Sequence, residues 1–306
     1  MDLALFQENF EILRKSSGKW IDKQLVMMTA AQCAAKGKRI NESDFKHVID
    51  KVKKSSSAFS PLRTISFSIA GLIYTKTTHY DDEIDSLHRN YQELRNIGFR
   101  ISLHTYMAAT LVEKDTDVNK LKDIYDEMKK YHPFLTSSDD YTAAVMIAKQ
   151  PNRVSDLVET SEKHYNALNE KGLSKGNDLQ LLAHMLVMNG DYSHELTRNV
   201  MKAKEAFEKN YYKIRKIHYP SLGIVSLSNQ TNEAVKLVQD LTAMKMFKWY
   251  KDMALTIASL FVSQDYADAP AGLTAAVEAM IQAQQAAMIA ATTATISASA
   301  ASSSGE

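Results

Sequence analysis

The chain has few of the residues that build dedicated chemical sites. There is one cysteine, Cys33, among 306 residues. A lone thiol excludes an internal disulfide and a cysteine-based metal cluster. It sits in Met27-Met-Thr-Ala-Ala-Gln-Cys-Ala-Ala, which reads as a small buried hydrophobe instead of a nucleophile. Five prolines and ten glycines leave few breaks, and that scarcity suits long helices. Lys plus Arg (37) and Asp plus Glu (36) nearly cancel, so the basic excess of a dedicated nucleic-acid binder is missing. No run reaches the ~18 uncharged apolar residues of a membrane-spanning helix. The first ten residues hold neither a basic segment nor a continuous apolar one, so a signal peptide is not expected and a cytoplasmic location is. GxxxxGKS/T, GxGxxG, GxSxG and HExxH are absent, and the nine histidines form no i, i+4 pair. Phosphate-loop, hydrolase-elbow and zinc chemistry therefore have no foothold, and neither a cofactor nor a metal site is expected.

What is present is a repeat. Tyr91-Gln-Glu-Leu-Arg-Asn-Ile-Gly-Phe is followed by Thr105-Tyr-Met-Ala-Ala-Thr-Leu, and Tyr125-Asp-Glu-Met-Lys-Lys-Tyr-His-Pro-Phe by Asp140-Tyr-Thr-Ala-Ala-Val-Met. Tyr165-Asn-Ala-Leu-Asn-Glu-Lys-Gly-Leu is followed by Gln180-Leu-Leu-Ala-His-Met-Leu. The markers Tyr91, Tyr125, Tyr165, Phe207 and Leu241 lie 34, 40, 42 and 34 residues apart. Each unit joins a long amphipathic helix to a shorter, more apolar one. A single hairpin cannot bury both apolar faces, whereas stacked neighbours can. The spacing predicts helices over 82–96, 102–113, 117–131, 137–149, 154–171, 177–188, 193–214, 219–228, 231–244 and 249–262. The fold class expected is all-α: an α-solenoid-like array of about five to six helical hairpins with an Ala-rich C-terminal helix. By region, 1–78 is N-terminal and helical, 79–265 carries the repeats, 273–296 is the Ala-rich helix and 297–306 is a disordered tail. That last helix has small residues all round and almost no charge, so it is expected to dock on the array or on a second chain, making a homo-oligomer possible.

The words Thr136-Ser-Ser-Asp-Asp-Tyr, Lys175-Gly-Asn-Asp-Leu-Gln, Phe247-Lys-Trp-Tyr-Lys-Asp-Met and Ile281-Gln-Ala-Gln-Gln-Ala-Ala-Met-Ile-Ala occur together and in this order. In this the chain resembles an uncharacterised bacterial family, common in Firmicutes, known as a domain of unknown function. The resemblance implies a bacterial protein with a native Ala-rich C-terminus, and carries over no catalytic residue, cofactor or partner. In hairpin length the units also look like tetratricopeptide repeats, without the Trp-Leu-Gly-Tyr pattern of that family.

Candidate ligand-binding residues fall in three places. His184 stands where the two preceding units have Ala109 and Ala144; a core histidine satisfied by a neighbour explains it, and a ligand or base is the sharper alternative. Asp139, Asp140, Asn177 and Asp178, with Lys175 beside them, begin successive short helices; helix capping explains them, and a polar rim at one end of the array is the alternative. Lys248, Trp249, Lys251 and Asp252 combine cations, a ring and a carboxylate, which suits either packing or an anionic ligand. Residues 202–219 interleave Lys and Arg with Tyr, as single-stranded RNA grooves do, although one solvated helix face accounts for them. The leading functional reading is a non-catalytic cytoplasmic scaffold that binds a peptide, protein or regulatory ligand on its concave face. An α-helical enzyme or small-ligand sensor around His184 is the alternative, and RNA binding through 202–219 is a weaker one.

Overall fold

The computed structural model describes residues 2–18, 21–264 and 271–303, with side chains described over 2–18, 21–263 and 273–289. Among them there is no β-strand, and sixteen α-helices follow one another: α1 (Leu3–Ser16), α2 (Lys23–Ala35), α3 (Glu42–Lys54), α4 (Pro61–Thr64), α5 (Ser66–Lys76), α6 (Tyr80–Asn96), α7 (Leu103–Ala109), α8 (Val118–Tyr131), α9 (Tyr141–Ala148), α10 (Val154–Glu170), α11 (Asn177–Val187), α12 (His194–Lys209), α13 (Tyr219–Leu227), α14 (Thr231–Ala243), α15 (Met253–Gln264) and α16 (Ala271–Ser303). The protein is all-α.

The amphipathic helices α3, α6, α8, α10, α12 and α14 each bury one stripe, for example Ile84, Leu87, Tyr91 and Leu94 on α6. The helices that follow them have no polar face. Every residue of α9 from Tyr141 to Ala148 is buried, as are Leu179, Gln180 and Leu182 to Val187 on α11. The difference places the first set outside and the second inside. Paired alanines let the inner helices approach: Ala108, Ala109, Ala143, Ala144 and Ala183 are all fully buried. All five marker residues, from Tyr91 to Leu241, are buried.

The array closes on itself. α7 packs on α9, α9 on α11, α11 on α13, α13 on α15, and α15 packs back on α2, which packs on α5. At the seam, Phe6 of α1 lies with its ring centroid 6.2 Å from both Phe247 and Phe261, and Lys23 Nζ donates to the Met246 carbonyl at 3.2 Å, across 223 residues. Within residues 1–78, α1 packs on α2 and α3 on α5, two further outer–inner pairs.

The middle of the ring is occupied by α16, which packs against α2, α7, α9, α11, α13 and α15. Alanine is the residue that fits so confined a helix, because it combines the best helix propensity with the smallest side chain. Leu273, Val277, Met280, Ile281 and Ile289 are buried along it. Ser221 and Ser259, on α13 and α15, both donate to the Met280 sulfur at 3.7 Å. The backbone helix continues through 297–303, where the Ser/Ala composition points to an unstructured tail; 304–306 lie outside the described residues.

Two boundaries differ from the periodicity. α12 stops at Lys209 instead of reaching 214, because Tyr211 turns into a left-handed conformation (φ 61°). Ile214 instead of Tyr211 then enters the core, being 9% exposed against 100%. α15 starts at Met253 instead of Trp249, after a 3-10 turn over Lys245–Phe247.

Candidate functional site

Asn177 bonds Asp139 and Lys216 bonds the Lys175 carbonyl, joining the starts of α9, α11 and α13, while Lys149 pairs with Glu113 and Asn152 bonds Asp191 beyond their far ends, so neighbouring inner helices run the same way, with their N-termini on one rim and their C-termini on the other. At the carboxyl rim, beside the start of α16, a cavity of about 290 Å³ opens between α2, α5, α7, α15 and α16. Leu72, Ile73, Leu111, Leu260, Val277 and Ile281 line it with apolar surface. Two glutamines also line it. Gln32 is 4% exposed and neither atom of its amide has a hydrogen-bond partner. Gln282, 3% exposed, donates to Thr110 Oγ1 at 2.6 Å while its Oε1 is unpartnered. Buried amides normally find partners, and each group left unmatched costs about 1–3 kcal/mol.

Charges ring the opening. Lys36 and Lys76, at the C-terminal ends of α2 and α5, complement the negative end of each helix. Lys76 is paired with Glu83 at 2.5 Å, and Glu113 with Lys149 at 2.6 Å. Glu278 of α16 has no ion-pair partner among the described residues. Solvent reaches its side chain, yet the surrounding walls raise its carboxyl above the usual range; Lys149 and Lys36 oppose that shift and Glu113 adds to it.

None of the residues singled out from the sequence lines this cavity. His184 is buried between α11 and α10, with Nδ1 2.7 Å from Ser161 Oγ and Nε2 unpartnered. Burial, followed by nearby His132, lowers its pKa to about 3, so it is neutral at physiological pH. It is a core histidine held by a serine.

The others lie on the opposite, amino rim. Asp140 accepts from the Ser137 backbone N–H at 3.0 Å, closing a capping box. Burial and then Asp139 push its pKa up to about 8. Asp139 accepts from Asn177 Nδ2 at 3.1 Å, so the two helix starts are joined. Burial raises the Asp178 carboxyl, opposed by Lys216. The Lys175 carbonyl accepts from Lys216 Nζ at 3.1 Å. Asp252 pairs with Arg215 and lies 3.4 Å from His218 Nε2. Lys251 uses its carbonyl, which accepts from Tyr212 OH at 2.9 Å. Trp249 is 80% exposed, with Lys248 Nζ 5.2 Å from its ring centroid, so it does not pack on the next hairpin. Asp140 thus closes a box opened by Ser137 without capping α9 itself, whereas Asp139 and Asn177 link neighbouring hairpins.

Composition and local spacing do not announce this cavity. Gln32 in α2 and Gln282 in α16 were the available signal: uncharged amides on helices with no polar face. Among the described residues no group of three or more His, Cys, Asp or Glu side chains is placed to hold a metal ion, and no helix is long and apolar enough to cross a membrane.

Comparison with known proteins adds a relative and a family. The chain is 28% identical over 297 residues to a protein of Bacillus subtilis (strain 168) described as "Uncharacterized protein YeaA", covering 89% of this chain and 88% of the relative. No solved structure matches it. The family match takes in residues 9–286, nearly the whole ring and the first half of α16, and the chain belongs to the family described as "Protein of unknown function (DUF4003)".

Proposed function

We propose that the protein is a non-catalytic binding protein whose ligand is a small organic molecule held in the cavity at the carboxyl rim. The observation that carries this reading is the pair of buried glutamine amides, Gln32 and Gln282, which present three unpartnered atoms at a cavity otherwise walled by apolar side chains. A molecule with an apolar body and two or three hydrogen-bonding groups matches that lining. Ligand pockets commonly start near 300 Å³, which this cavity approaches at about 290 Å³. Glu278 at the mouth suits a donor or cationic substituent.

The scaffold reading, with a peptide on the concave face, has less support, because α16 fills the middle of the ring. The enzyme reading centred on His184 has less still, since that ring is enclosed and neutral. Native mass spectrometry of protein purified from its own cells, followed by thermal shift with the released molecules, tests the proposal. A co-purified small molecule that stabilises the wild type but not Gln32→Leu is the expected result. Stabilisation that is identical in both proteins places the ligand elsewhere.

A further inference from the structure

The large apolar side chains left exposed are not scattered. Phe59, Ile101, Phe134, Tyr211, Ile217 and Trp249 are 99%, 66%, 99%, 100%, 52% and 80% exposed. Each lies in a connection that leads from an outer helix to an inner one: Phe59 before α4, Ile101 before α7, Phe134 before α9, Tyr211 and Ile217 before α13, Trp249 before α15. The remaining member of this class, Tyr131, ends α8 and adjoins the same rim. Among the described residues none lies on the carboxyl rim or on the outer wall. Isolated exposed hydrophobics need no explanation, but their confinement to one rim does.

Hydrogen bonds join these connections into a continuous belt. Ser60 Oγ lies 3.3 Å from Tyr106 OH, and the Arg100 N–H donates to Tyr141 OH at 3.2 Å. Asn177 meets Asp139, Lys216 reaches the Lys175 carbonyl, Tyr212 the Lys251 carbonyl and Lys23 the Met246 carbonyl. The exposed tips therefore share one end of one ring.

One arc of that end, apart from the part that carries Asp139, Asp140 and Asp178, is also basic. The connections 210–218 and 244–252 contain Lys213, Arg215, Lys216, Lys245, Lys248 and Lys251 against a single carboxylate, Asp252, which Arg215 already pairs. All six cations are exposed. The parallel inner helices add their positive ends to the same rim.

We propose that the amino rim is a docking face for an anionic phospholipid bilayer. Apolar tips would enter the headgroup region while the surrounding lysines meet lipid phosphates, the combination of buried apolar area and electrostatic attraction on which peripheral binding rests. Tyr and Trp are the side chains that settle at such an interface. Single-stranded nucleic acid matches the charge but not the tips, because Ile101 and Ile217 have no ring on which a base stacks. A second copy of the chain matches less well, since a two-fold contact would bring two basic rims together.

Co-sedimentation of the full chain with vesicles tests this. At roughly 0.1 M ionic strength, the wild type is expected to sediment with phosphatidylcholine vesicles containing one third phosphatidylglycerol, and not with phosphatidylcholine alone. The variant Phe59→Ser/Phe134→Ser/Trp249→Ser, altered only where side chains face solvent, should keep its melting temperature and lose at least about tenfold in vesicle affinity. Lys213→Gln/Lys216→Gln/Lys248→Gln should lose about fivefold per charge removed. Absence of wild-type sedimentation overturns the proposal, as does an aromatic variant that binds like the wild type. A wild type that binds a uridine homopolymer while ignoring the anionic vesicles assigns the rim to RNA instead.

Discussion

Gln282 donates to Thr110 Oγ1 at 2.6 Å, tying the last helix to the third hairpin across 172 residues. It anchors a helix whose other packing is largely apolar, and it places a carbonyl oxygen with no partner beside the carboxyl-rim cavity. One residue thus serves both the packing of α16 and the candidate site.

Deleting 273–306 should destroy the protein as a monomer. Leu273, Val277, Met280, Ile281 and Ile289 are buried along α16, and five such side chains contribute about 8–15 kcal/mol as an upper estimate, comparable to the whole stability of a domain. Aggregation or a changed mass by light scattering is expected. Deleting 297–306 should alter neither mass nor melting temperature. A soluble, equally stable protein lacking 273–306 contradicts the central placement.

Gln32→Leu should stabilise the ligand-free protein. The amide is 4% exposed and unpaired at both atoms, so its removal relieves about 1–3 kcal/mol of uncompensated desolvation. The urea midpoint should rise while ligand affinity falls. A lower midpoint would mean that Gln32 is hydrogen-bonded in solution.

Ala144→Leu should cost about 1–3 kcal/mol, because the extra methylenes have no room. Ala144 is fully buried on α9, where α7, α11 and α16 converge. An unchanged midpoint would show that the inner helices can move apart.

Stability should fall toward both acid and alkaline pH, for different groups. Burial lowers His184 to about 3 and His164 and His218 to about 4. Below the unfolded value of ~6.5 the unfolded state binds these protons first, so stability is lost as pH falls, by up to about 1.4 kcal/mol per pH unit for each histidine. Asp140 works in the opposite sense. Its folded pKa of about 8 lies above the ordinary carboxylate value, so its stabilising contribution is complete below ~4 and is lost as pH rises toward 8. Asp140→Asn keeps the oxygen that accepts from Ser137 and should flatten the profile between about pH 4 and 8 in thermal melts, the window set by those two values. An unchanged slope would place the Asp140 carboxyl in water.

How much of this was legible depends on what generates each feature. Helix placement came from local periodicity, and Leu3, Phe6, Phe10 and Leu13 to Val200, Ala203 and Phe207 obey it. Ring closure is not local. Nothing near Phe6 announces Phe247, and an open array and a closed ring share the same repeat. The Asp/Asn helix starts stand out because capping acts over three residues, yet Asp140 serves as the third member of a box opened by Ser137 and makes no side-chain cap to α9, and Gly176 stands at the N-cap of α11. Trp249 was misplaced because a four-residue shift of the α15 start carries it from a helix face to a loop tip. The cavity needed both Gln32 and Gln282, which only the fold brings together.

Closure also sets a limit on length. An open solenoid can gain or lose a hairpin at an end, since each unit touches only its neighbours. Here α15 meets α2 and α16 fills the space between them. An added hairpin would widen the bore beyond what an alanine-rich helix can fill, and a lost one would leave that helix no room. Insertions and deletions should therefore be confined to the connections, and the number of hairpins should stay constant as their surfaces diverge.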